Sequence, residues 1–154
     1  MYQGLLHLHN FMRWVILILL VVNIVRHLVA AKQPFADRDK KFGLMLMIAA
    51  HITLLIGLYQ YFAGPWGFQL ISDKGMAVVM KDSALRFWAV EHITGMLIGI
   101  VLITIARGVF RKPISNEAKH KKALLLYIIA LVVILASVPW PFREGIARPL
   151  FPGM

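Results

Sequence analysis

The sequence predicts an all-α integral membrane protein, a bundle of four antiparallel transmembrane helices forming one domain over residues 1–154. Three observations predict it. Hydrophobic residues make up 60% of the chain, and mean hydropathy is +0.73. They fall in four long blocks rather than in the short periodic patterns of a soluble core. The basic residues lie between the blocks: residues 26–42 and 107–122 hold eleven of the seventeen.

The first span is expected over residues 11–30. Its preceding MYQGLLHLHN lacks the basic n-region of a signal peptide, so the span is expected to be retained. The second runs over 43–63 and ends at Ala63-Gly64-Pro65. The third, FWAVEHITGMLIGIVLITIAR, covers 87–107 and is preceded by Asp82-Ser83, a good N-cap. The fourth covers 123–138, with Ser115 or Asn116 available to cap an extension and Pro139-Trp140-Pro141 to stop it. Each is near the roughly twenty residues needed to cross a bilayer. The loop 64–86 carries an apolar segment, GMAVVM, too short to span; it reads as an interfacial segment or as a lid. By the positive-inside rule, both basic loops are cytoplasmic and both termini outside, as expected of a multi-pass protein of a bacterial inner membrane.

Cysteine is absent, which excludes disulfides, thiolate metal sites and iron–sulfur clusters. The net charge of +10 sits in the inter-span loops, where topology and anionic lipid explain it without nucleic acid. No phosphate-binding loop, nucleophile elbow or carboxylate pair for hydrolysis is present.

Ionisable residues inside spans are the functional candidates. Glu91 and His92 interrupt the third span, and Gly95 and Gly99 share a helix face with His92. That face offers an imidazole with space beside it, suited to a flat cofactor or to close helix packing. In the first span His9, Arg13, Ile16, Leu20, Asn23 and His27 form one stripe that should face the bundle. His51 is the polar intruder of the second span. It is either a cofactor ligand or a neutral histidine donating to a carbonyl. The fourth span offers Tyr127 and Ser137 alone, and reads as a packing wall.

Histidines on three helices, without cysteine, point to haem b ligated by two imidazoles. His92 is one expected ligand and His51 or His9 the other. Counted from the cytoplasmic ends, His92 lies about 22 Å up, His51 about 12 Å and His9 about 27 Å, so depth favours His9. Gly95 and Gly99 would make room for the porphyrin, and Arg13 would neutralise a propionate. A transition metal is the alternative cofactor, held at the outer rim by His7, His9, Glu91 and His92. That grouping requires an extended N-terminal segment, because in a helix His7 and His9 diverge by about 200°.

His7-Leu8-His9, Ala50-His51, Lys81-Asp82-Ser83, Glu91-His92, the VLITIAR run and Val138-Pro139-Trp140 give the whole chain a further likeness. It resembles a group of small bacterial four-span membrane proteins labelled cytochrome b-like, whose function is largely uncharacterised. The resemblance implies a histidine-bearing four-helix bundle with redox activity. The expected function is therefore haem-linked electron transfer with a quinone or a redox partner subunit. A cofactor-free accessory subunit, or an outer-face metal-binding protein, is the alternative. Gly95 and Gly99 also permit a homo-oligomer.

Overall fold

The computed structural model describes residues 2–151, and every regular element among them is helical. Four long segments are long and apolar enough to cross a membrane, which makes this a multi-pass membrane protein. Helix α1 is Tyr2–Val29 and α2 is Asp37–Ala63. Three short helices follow, α3 (Phe68–Lys74), α4 (Met76–Lys81) and α5 (Ser83–Arg86). A π-helical turn, Phe87–Glu91, then leads into α6, His92–Gly108, and the last helix, α7, is Asn116–Ser137. The long helices alternate in direction. One end of the bundle, the basic end, carries the connections 30–36 and 109–115. The other, the tail end, carries α3–α5 and the segment after α7.

Three helices begin earlier than hydropathy indicates. The N-terminal segment is helical from Tyr2 rather than from residue 11, α2 from Asp37 rather than from 43, and α7 from Asn116 rather than from 123. Polar residues at these helix ends extend each span beyond its apolar run. The caps explain where the helices start. Ser115 Oγ accepts from the Ala118 amide at 3.2 Å, and the Asp82 carboxylate accepts from Ala84 and Leu85, both at 2.9 Å. At α2 the acid lies three residues inside the helix: Asp39 Oδ2 accepts from the Ala36 amide at 2.8 Å. Its Oδ1 accepts from Arg26 Nε at 2.6 Å, tying α1 to α2 through a carboxylate only 2% exposed.

The core is a ladder of aliphatic and small residues: Leu20, Leu46, Ala50, Ile103, Ala106, Ala130 and Ile134 among them. Outside it lies a second apolar layer, with Ile18, Leu55, Phe62, Val101 and Val132 exposed on the bundle surface. An apolar exterior of this kind suits lipid rather than water. The tightest seam is α6 against α7. A Cβ on Gly99 would lie 2.7 Å from Ile134 Cγ1, and one on Gly95 would collide with the Ser137 hydroxyl. The two glycines let the helix backbones approach, as small-xxx-small faces do in membranes. In the 64–86 loop, Leu70 and Val79 are buried against Ala89 while Met76, Val78 and Met80 stay exposed.

Two outcomes follow. Gly99→Ala should lower stability in detergent by about 1–3 kcal/mol, and the Gly99→Ala/Ile134→Ala pair should cost less than the sum of its parts in thermal melts. Asp39→Asn should cost about 2–3 kcal/mol, since it leaves Arg26 without its counter-charge; chemical unfolding measured by circular dichroism would read this.

Candidate functional site

Polar side chains in the interior gather at two places, one near each end. Near the tail end, His9 of α1 faces His92 of α6, with ring centroids 6.3 Å apart and an interplanar angle of 66°. The π-helical turn sets the position of His92. Its amide bonds to the Phe87 carbonyl five residues back, so one extra residue enters the helix just before the histidine. That turn buries Phe87 and Ala89, while Phe87 and Trp88 pack on the His92 ring at 5.8 and 6.1 Å. His92 Nδ1 donates to the Ser137 carbonyl at 2.8 Å. This fixes the tautomer and leaves Nε2 with a free lone pair. The His9 ring lies against α2 at Gly57, where a Cβ would come within 3.1 Å of its Cε1. Its Nδ1 is buried without a hydrogen-bond partner.

The structure treats the other expected site residues differently. His51 is exposed on the bundle surface, and its Nδ1 donates to the Met47 carbonyl of its own helix at 2.8 Å. It therefore does not face His9 or His92. Gly95 and Gly99 lie against Ser137 and Ile134 of α7, so the space expected beside His92 is filled by the neighbouring helix. An oligomer would have to use another face.

Arg13 is held by the chain's own C-terminal segment: its Nη2 donates to the Leu150 carbonyl at 2.6 Å and to that of Pro149 at 3.3 Å. Trp14 Nε1 and Asn10 Nδ2 bond to the same two carbonyls, and Phe151 stacks on Trp14.

The rim grouping of His7, His9, Glu91 and His92 is not assembled. Because the N-terminal segment is helical, His7 points outward while His9 points inward. Glu91 turns away to pair with Arg86 Nε at 2.6 Å, lining an open cavity of about 330 Å³ with Arg143 and Glu144. Among the described residues no group of three or more His, Asp or Glu is placed to hold a metal ion.

The second place, at the basic end, has a residue that sequence reasoning missed. His27 and His120 are buried, 2% and 0% exposed, with their Nδ1 atoms 2.8 Å apart. His120 was hidden in a basic run, NEAKHKK, and hydropathy assigns that run to a loop. Its helical spacing to Ala123 and Tyr127, at i+3 and i+7, is the signal that places it on the inward face. Nearby Asn23 Nδ2 donates to the carbonyls of Leu19, at 2.8 Å, and Phe42, at 3.3 Å. The inward stripe expected of α1 is present: Ile16, Leu20, Asn23 and His27 are all buried.

The chain matches no protein-family model, no curated protein and no solved structure.

Arg13→Ala should release the C-terminal segment by removing two of its carbonyl contacts. Faster backbone exchange across residues 140–151 in hydrogen–deuterium exchange, with the span interiors unchanged, is the expected reading.

Proposed function

We propose that the chain is a b-type cytochrome-like membrane protein in which His9 and His92 bind one haem between α1 and α6. The observation that carries this is the facing imidazole pair, with the His92 tautomer fixed by the Ser137 carbonyl. A carbonyl accepting from the ring nitrogen that faces away from the metal is the usual arrangement behind a metal-bound histidine. His9 and His92, with ring centroids 6.3 Å apart, are the two residues that would hold the group.

Bound there, haem would supply one-electron chemistry to a quinone or a redox partner subunit. The chain's own residues hold the ligands. Ser137 orients His92, Gly57 gives His9 room against α2, and Phe87 and Trp88 shield the His92 ring from water. Gly95 and Gly99 take no part in this proposal. Arg13 would have to exchange the tail carbonyls for a propionate. The basic end would face the cytoplasm of a bacterial inner membrane, consistent with its lysines and arginines.

A second reading, a cofactor-free accessory subunit, is favoured by the closed α6–α7 seam, in which His92 serves as one more interhelical hydrogen bond.

Absorption spectra separate the two. Protein from a haem-replete host should show sharp reduced α and β bands after dithionite, with about one haem per chain by pyridine haemochrome. His9→Ala and His92→Ala should each abolish the bands, and His51→Ala should keep them. A featureless spectrum from folded protein, with His92→Ala lowering only thermal stability, would establish the accessory reading instead.

A further inference from the structure

We propose that His27 and His120 form a proton-binding pair at the basic end, which takes up one proton as an imidazolium–imidazole unit. This is independent of haem, because the pair lies at the opposite end of α1 from His9.

The hydrogen-bond arithmetic comes first. Two Nδ1 atoms 2.8 Å apart are bonded only if one carries a proton and the other a lone pair. The donor ring, being neutral, then has a lone pair on its Nε2, and the acceptor ring has its own proton on Nε2. An incoming proton bonds to the vacant Nε2. That ring becomes imidazolium, and the Nδ1–H···Nδ1 bond persists with charge assistance. No bond in the pair breaks, and the bridging proton can sit on either ring. His120 Nε2 is buried with no partner, an unused nitrogen on a fully enclosed ring.

Aromatic rings line the pair. Phe35, from the connection between α1 and α2, packs on both imidazoles at 5.6 and 5.0 Å, and Tyr127 stacks on His27 at 5.7 Å. Aromatic faces attract a cation through their quadrupoles. Gly43 admits the Tyr127 hydroxyl here, since a Cβ would lie 3.0 Å from it.

The charged groups around the pair come from three helices. Arg26 of α1 and Asp39 of α2 neutralise each other in their ion pair. Arg107 of α6 lies next to Tyr127 but stacks its guanidinium on Phe110, at 4.2 Å. Phe35, which packs on both rings, is itself half-buried.

Nitrogen NMR on the full chain in lipid bilayers, with isotope-labelled histidine, tests this directly from about pH 8 to about pH 4, either side of histidine's ordinary pKa. In the wild type, a scalar coupling across the Nδ1–H···Nδ1 bond is expected, and the His27 and His120 signals should shift together at one midpoint. His120→Asn should remove both the coupling and the shared midpoint, leaving His27 to titrate alone. Absence of the coupling in folded wild-type protein, or separate midpoints for the two residues, would overturn the proposal. So would signals that do not move with pH. The wild-type measurement decides even where a variant fails to fold.

Discussion

Inside a bilayer a polar side chain has no water to turn to, and many of those on these helices are satisfied by the protein itself. That constraint arranges the bundle. Thr53, Thr104 and Ser137 return their hydroxyls to carbonyls four residues back, each at 2.8 Å. Asn23 bridges α1 to α2, His92 reaches across to α7, and Asp39 uses both carboxylate oxygens. Arg143 satisfies carbonyls at the end of α7, those of Ala136 and Val138, while its guanidinium stacks on Phe87. Several polar contacts therefore sit where helices meet, and the lipid-facing surface is largely apolar, with His51 an exception.

The α6–α7 seam follows from the same constraint combined with residue size. Without a hydrophobic drive between helices in lipid, close backbone approach and interhelical hydrogen bonds supply the attraction. Gly95 and Gly99 provide the first and the His92–Ser137 bond the second. The face that could have lined a cofactor cleft is thus a packing face. The π-helical turn Phe87–Glu91 adds one residue to the helix just before His92. Wider helical turns of this kind are frequent at functional sites.

The two ends of α1 illustrate how differently a histidine pair can be used. His9 and His92 stand 6.3 Å apart, too far for a direct hydrogen bond, with ring nitrogens to spare. His27 and His120 are close enough to share a proton.

Much of this was legible in the sequence. Hydropathy blocks determined four spans, Asp82 and Ser115 marked two helix starts, and the 100° period put Asn23 and His27 on the inward face of α1. These features depend on local chemistry and on helix geometry alone. Periodicity assigns a side chain to a face of its own helix, but not to a neighbour. Only the tertiary structure decided that the His92 face meets α7, that His51 faces outward, and that Arg13 is taken by the C-terminal segment. Hydropathy also ends a helix where charge begins. That is why His120, in a lysine-rich turn of α7, becomes visible only once the turn is seen to be helical and packed against His27. The sequence by itself determined the bundle, because burial in lipid needs only composition and period. The pairing of its histidines was decided by which helices touch and at what rotation.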